Sequence, residues 1–164
     1  MKFKIFISYS THDLIQVEFL KQQLVDTPIE VFIAEYSIQP SEDLESKITS
    51  AIKGCDLFVV LWSSNAENSK WVSQEIGHAK AFNKTILPLV LHENIVLPGF
   101  VSNLKYLPIY QDPDTQLKQA KNIIIDLYSK KSDELAKQEA RKQKDKEQLF
   151  LVGAGLFLLW ASSK

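Results

Sequence analysis

Glu75 and Trp71 are the two residues of this chain whose types and spacing best fit a reaction site. They follow the apolar run Leu57–Trp62 and lie in the segment Ser69–Glu75, which opens a helical pattern. In a helix, residues four positions apart lie on the same face, one turn above the other. A carboxylate beside a large aromatic ring is partly removed from water, and together they can bind a planar, cationic group. The pair therefore predicts a site for such a ligand.

A second group of polar side chains, Tyr9–Asp13, follows the first strand-like run, Phe3–Ser8. Strand-like and helix-like segments alternate beyond it, which predicts an α/β three-layer sandwich with a five-stranded parallel sheet and a C-terminal helical tail. In the doubly wound order 2-1-3-4-5, ligands bind at the carboxyl ends of strands one and three. Residues 9–13 and 63–65 follow those strands, and Glu75 lies on the next helix. Generic topology and the Trp71–Glu75 pair thus indicate the same cleft.

The apolar periodicity also predicts where the individual elements lie. Strands are expected at 3–8, 30–34, 57–62, 85–91 and about 106–110, and helices at 13–25, 41–53, 67–82 and from 112 onward. Thr11 or Asp13 is expected to cap the first helix. Pro88 favours either an irregularity in the fourth strand or a position on an open side of it.

The strings Lys4–Asp13 and Ser69–Glu75 together resemble the TIR (Toll/interleukin-1 receptor) domain family, in particular its prokaryotic NAD-cleaving type. The resemblance extends from Lys2 to about Tyr128 and implies a flavodoxin-like fold. It makes Glu75, the glutamate of the Ser-x-Trp-x-x-x-Glu pattern, the expected catalytic residue.

The resemblance assigns further residues to the site. The expected substrate-binding residues are Tyr9, Ser10, Trp62, Ser69 and Trp71. Tyr9 would stack on a base and Ser10 or Thr11 would lie near a phosphate, while the two tryptophans would shield the pocket or stack with nicotinamide. Helix capping alone would also explain the polar residues after the first strand.

The segment 35–44 corresponds to the family's BB loop, which covers the cleft and mediates TIR–TIR contacts. Its expected contact residues are Tyr36, Ile38 and Pro40. Ser41 follows the proline where related sequences often have glycine, so the turn and its ligand contacts depart from the family pattern.

The resemblance implies that NAD+ is the substrate and that no cofactor is required. Nicotinamide is already a cationic leaving group, and a carboxylate can stabilise the oxocarbenium character that develops on the ribose, or trap it covalently. Capture by water gives ADP-ribose, whereas capture by the adenine ring or a ribose hydroxyl gives a cyclic isomer. The alternative function is a non-catalytic TIR scaffold that signals through homotypic assembly. Both functions imply a homo-oligomer formed by TIR–TIR contacts, and the family setting is defence.

Charge and composition exclude several other classes. Residues 1–128 hold 11 basic and 15 acidic side chains, a net charge of −4, which does not fit nucleic-acid binding. His12, His78, His92 and Cys55 lack the spacing of metal ligands. A single cysteine and a strand-like run directly after Met1 predict a cytoplasmic protein without a signal peptide.

Two segments follow the predicted domain of residues 1–128. Residues 129–148 are almost entirely polar and predict a charged helical spacer. Residues 149–164 contain thirteen consecutive uncharged, mainly apolar residues, which span about 20 Å as a helix against roughly 30 Å of bilayer hydrocarbon. Basic residues before this segment and Trp160 near its end favour an anchor of residues 149–163 on the cytoplasmic face of a membrane. An oligomerisation helix is the alternative.

Overall fold

The computed structural model describes residues 2–33, 43–99 and 101–162, with side chains as far as residue 150. Its strands are β1 (Phe3–Ser8), β2 (Ile29–Phe32), β3 (Leu57–Trp62), β4 (Thr85–Val90) and β5 (Leu107–Pro108). Its α-helices are α1 (Leu14–Leu24), α2 (Leu44–Gly54), α3 (Ser64–Glu67), α4 (Lys70–Ala81) and α5 (Pro113–Ser162), and a 3-10 turn covers Thr11–Asp13.

The five strands form one parallel sheet in the order β2-β1-β3-β4-β5. This confirms the predicted five-stranded sheet and the order from which the cleft was inferred. In the register between the two central strands, Ser8 of β1 pairs with Val60 of β3. β5 pairs with Leu89 and Val90 of β4 but not with Pro88. In the described sheet, Pro88 therefore has a strand neighbour, β3, on one side only. The missing N–H of that proline is therefore tolerated on the open side of the strand.

The face of the sheet that carries the candidate site is packed with aromatic and aliphatic side chains. Phe6 stacks between Phe32 and Phe58, with ring centroids 5.3 and 5.5 Å apart. Ile52 of α2 and Ile76 of α4 belong to the same buried cluster. Because successive residues of a strand point to opposite faces, Ser8 shares the face of Phe6, towards these two helices. Packing thus fixes α4 over the end of β1.

Several helix boundaries differ from the prediction because local caps stop or start the helices. The helix predicted at 67–82 corresponds to α4, and the separate short helix α3 precedes it; each begins at a serine cap. The hydroxyl oxygens of Ser63 and Ser69 accept hydrogen bonds from the backbone N–H groups of Ala66 (3.0 Å) and Val72 (3.3 Å). Both side chains satisfy donors that a helix N-terminus leaves free. α4 therefore begins at Lys70, one residue before Trp71.

Cys55, the only cysteine of the sequence, follows α2 and is buried, with 4% of its surface exposed. Its thiol donates to the carbonyl of Ile52 at 3.2 Å. Burial raises the pKa of this thiol, and the nearby Lys84 only partly opposes that effect. The sulfur is therefore a packing group.

The chain divides into two units, Met1–Ile125 and Asp126–Lys164. α5 continues from the first unit through the second, in agreement with the predicted helical tail. The boundaries predicted at 128 and 148 stay predictions. Within the portion that the structure describes, no helix combines the length and apolar character needed to cross a membrane.

Candidate functional site

The candidate site is built on the carboxyl ends of β1 and β3 and on the first turns of α4. β1 ends at Ser8 and β3 ends at Trp62, and these two strands are neighbours in the sheet. α4 starts eight residues after β3 and carries Trp71 and Glu75 one helical turn apart. Parallel strands present their carboxyl ends at the same edge, so the side chains after β1 and β3 lie together.

Glu75 is a buried carboxylate that faces the end of β1. It is 7% exposed, and its Oε2 accepts a hydrogen bond from the Ser8 hydroxyl at 2.5 Å. Ser8 is itself 1% exposed. Glutamate is rarely buried to this extent without a charged partner, which separates Glu75 from an ordinary residue of a solvated helix face.

Burial has a large effect on the ionisation of this carboxyl group. Desolvation raises the pKa of Glu75 from 4.5 to about 7, while the hydrogen bond from Ser8 acts in the opposite direction. A carboxyl group with such a pKa exists in both charge states near neutral pH. Perturbed carboxyl groups of this kind occur preferentially at reaction sites.

Glu75 lies in the wall of a cavity of about 140 Å³ between α2 and α4. The wall also includes Trp71, which is 51% exposed, so the cavity has an accessible aromatic residue and a buried carboxylate in the same wall. The lining residues are Glu45, Ile48, Thr49, Trp71, Gln74, Glu75 and His78. The structure therefore brings together the aromatic and carboxylate groups that the helical spacing predicted.

A second buried carboxylate, Asp13, joins the segments that follow β1 and β3. Asp13 is 4% exposed; Ser63 Oγ donates to its Oδ2, and Asn65 Nδ2 donates to its Oδ1 at 3.0 Å. Asp13 occupies the N-cap position of α1 but makes no side-chain cap hydrogen bond. The prediction that Thr11 or Asp13 caps this helix is therefore wrong for Asp13, because donors fifty residues away bind its carboxylate.

The other predicted site residues differ in their access to the cleft. Trp62 is 2% exposed and its indole N–H donates to the carbonyl of Val96 at 3.1 Å, which is a packing position. Ser69 caps α4, one turn before the carboxylate. Tyr9 is partly buried directly after β1, and Ser10 is buried with its Oγ 3.4 Å from His12 Nδ1. Their assignment as substrate-binding residues stays a prediction.

Two further predictions concern the BB loop and metal ions. Tyr36, Ile38 and Pro40 lie outside the described residues. Across residues 2–33, 43–99 and 101–162, no group of three or more His, Cys, Asp or Glu side chains is arranged to hold a metal ion.

Sequence reasoning placed residues 9–13 and 63–65 at the cleft, but it did not identify Ser8 or the hydrogen bonds that join Asp13 to Ser63 and Asn65. The last four residues of β1 are Ile5–Ser8, and Ser8 is the only polar one among them. A polar residue at the end of an apolar run was the available signal. The partner of Ser8 lies 67 residues further along the chain, so local spacing could not reveal the contact.

Comparison with solved structures places the chain among TIR-like folds. The TIR domain of the Toll-related receptor TRR-2 from Hydra magnipapillata aligns with a TM-score of 0.64 and 19% identity, covering 76% of this chain and 97% of that one. A prokaryotic SEFIR domain aligns with a TM-score of 0.56 and 21% identity, covering 74% and 91%. The CMP N-glycosidase BcmB from Clostridium botulinum aligns with a TM-score of 0.53 and 25% identity, covering 71% and 98%.

No curated protein sequence matches the chain. The family model for the TIR domain matches residues 5–142, which include the carboxyl end of β1, all of β3, and the helices α2 and α4 of the candidate site. The chain therefore belongs to the TIR domain family.

Proposed function

We propose that this TIR domain is an NAD+ glycohydrolase of the prokaryotic type, with Glu75 as its catalytic residue. The observation that carries the proposal is the buried Glu75 carboxylate, held by Ser8 in the wall of a cavity that the exposed Trp71 also lines. A planar, cationic ring fits such a site, because the indole face and the carboxylate both attract it. The nicotinamide of NAD+ is a ring of this kind.

The proposed reaction breaks the bond between the nicotinamide nitrogen and ribose C1′. The bonding electron pair leaves with nicotinamide, which becomes neutral, and positive charge develops on the ribose. The Glu75 carboxylate stabilises that charge electrostatically or by transient bonding to C1′. Attack by water at C1′ then releases a proton and gives ADP-ribose. Attack by a nucleophile of the same substrate gives a cyclic isomer.

The ionisation of Glu75 fits this role. With a pKa of about 7, Glu75 can hold a proton, and a protonated carboxyl group destabilises the fold less than a permanently charged, buried carboxylate would. A cationic ring in the cavity favours the charged form and lowers that pKa, so binding itself generates the anion that the reaction needs. A neutral ligand would lack this effect.

Similarity to an N-glycosidase supports the reaction class. BcmB is described as a CMP N-glycosidase, and it shares 25% identity with this chain over an alignment that covers 71% of this chain. Cleavage of a base from ribose is the step common to that activity and the one proposed here. The cytoplasmic location, the defence setting and homo-oligomerisation through TIR–TIR contacts are further parts of the proposal, and none of them requires membrane attachment by residues 149–163.

The decisive experiment measures nicotinamide release from NAD+ by the full chain and by Glu75→Gln. We expect release by the wild type and a loss of at least about a hundredfold in the variant. Glu67→Gln is the matched control, because Glu67 is an exposed glutamate of the neighbouring helix α3. Chromatography of the nucleotide product separates ADP-ribose from a cyclic isomer.

The assay should include high protein concentration and a surface that clusters the chain, because assembly is part of the proposal. Absence of release from folded, assembled wild-type protein would refute the glycohydrolase and favour the non-catalytic scaffold. Equal release by wild type and Glu75→Gln would refute the role of Glu75.

A further inference from the structure

Ser8 links the sheet to the reactive carboxylate. Its hydroxyl donates to Glu75 Oε2 at 2.5 Å. A serine hydroxyl has one proton, so this bond uses its full donor capacity. We propose that Ser8 is the positioning residue for Glu75: it fixes the carboxylate through Oε2 and leaves Oε1 for the ligand in the cavity. This assignment rests on the proposed glycohydrolase function.

The position of Ser8 in the fold suits it to this task. It is the last residue of β1 and pairs in register with Val60 of β3, so the sheet holds its backbone. Glu75 lies in the second turn of α4, which is packed onto the sheet through Val72 and Ile76. Both partners therefore belong to regular elements, which hold a hydrogen bond more rigidly than loops do.

Ser8 stabilises the charged form of Glu75. Burial and the Ser8 hydrogen bond are the two causes of the shifted pKa of Glu75, and only the hydrogen bond favours the charged form. Glu45 of α2 and His78 of α4 also line the cavity, whereas α3 contributes no lining residue. Neither Glu45 nor His78 is among the causes of the shift. Removing the Ser8 hydroxyl should therefore disfavour the reactive anion directly.

Steady-state kinetics across a range of pH test the assignment. For Ser8→Ala we expect kcat to fall by roughly tenfold or more, because a hydrogen bond to a charged group is lost. KM should change much less, since the cavity wall and Trp71 are retained. The acid limb of kcat/KM, which reports ionisation in the free enzyme, should move upward by about one pH unit.

Matched variants separate positioning from structural damage. Ser8→Thr keeps the hydroxyl and should restore both kcat and the acid limb towards wild-type values. Ser102→Ala is the control, because its hydroxyl bonds the carbonyl of Gly99 in an exposed segment and neither residue lines the cavity. Where Ser8→Ala does not fold, Ser8→Cys replaces it, since a thiol is similar in size and a much weaker donor. The same upward shift of the acid limb is then expected.

The outcomes distinguish this assignment from the function on which it rests. If the wild type cleaves NAD+ and Glu75→Gln does not, an unchanged kcat and acid limb in Ser8→Ala overturn the role of Ser8 alone. A reduced kcat with an unmoved acid limb also overturns it, because general destabilisation would produce that result. Absence of cleavage by the wild type overturns the proposed function, and the assignment falls with it.

Discussion

Replacing Glu75 with glutamine should make the domain more stable, and the gain should increase with pH. Glutamine keeps the size of the side chain and an oxygen that can accept the Ser8 hydrogen bond, but it does not ionise. The wild-type carboxyl group is 7% exposed and must either hold its proton or be charged in a buried site. Glutamine cannot ionise, so the variant never places a charge in the buried site, but it also loses the proposed activity.

The magnitude follows from the pKa of Glu75, which folding raises from 4.5 to about 7. Between these two values the folded chain holds a proton that the unfolded chain has lost. The free energy of unfolding therefore falls as pH rises through this interval and levels off above about 7. One unit of pKa corresponds to about 1.4 kcal/mol, so the full loss is roughly 3 kcal/mol. Between about pH 5 and about pH 8 the wild type should lose roughly 2 to 3 kcal/mol more than Glu75→Gln.

Denaturant unfolding of both proteins at about pH 5 and about pH 8 measures this difference. The fluorescence of the buried Trp62 offers a signal, and subtracting the two proteins removes the contribution of every other titrating group. Glu67→Gln, which changes an exposed glutamate, should parallel the wild type at both values of pH. If Glu75→Gln also parallels the wild type within about 0.5 kcal/mol, Glu75 does not occupy the desolvated site described above.

Three further predictions concern the residues around Glu75. Trp71→Ala should raise KM for NAD+ by roughly tenfold and leave the stability of the domain nearly unchanged, because the half-exposed indole contributes mainly ligand contact. An unchanged KM in steady-state kinetics would contradict this. Asp13→Ala should lower the free energy of unfolding by roughly 2 to 4 kcal/mol, measured with denaturant, because Ser63 and Asn65 lose their acceptor. Asp26→Ala, which changes an exposed aspartate, should have little effect, and equal stability of the two variants would show that the buried cluster is unimportant. Trp62→Phe should lower the free energy of unfolding by about 1 to 2 kcal/mol through loss of the hydrogen bond to Val96, while kcat/KM per folded molecule stays unchanged. A fall in kcat/KM would instead support the predicted role of Trp62 in substrate binding.

The sequence was sufficient to predict the sheet and the helical placement of the reactive pair. Apolar runs such as Leu57–Trp62 mark buried parallel strands, and the spacing of Trp71 and Glu75 in a helix is a purely local property. Parallel strands also require crossover connections, so the order of segments limited the fold to few alternatives.

The remaining features depend on contacts between distant segments. Asp13 looked like a helix cap because aspartate commonly caps helices, but Ser63 and Asn65 bind its carboxylate instead. The face towards which Trp62 points depends on the register and packing of β3, so its burial could not be read from an aromatic residue at a strand end. The strand predicted at about 106–110 is present as β5, but it covers only Leu107–Pro108, because its length depends on pairing with Leu89 and Val90 of β4.

The inert environment of Cys55 makes the wild-type chain a convenient background for site-specific labelling. A thiol that is 4% exposed and bonded to the carbonyl of Ile52 reacts slowly with maleimides, and its raised pKa reduces the thiolate fraction further. A cysteine introduced at the exposed Lys80 of α4 can therefore carry a fluorophore without prior removal of Cys55. Such a probe, on the helix that carries Glu75, would report ligand entry and the approach of a second chain in real time.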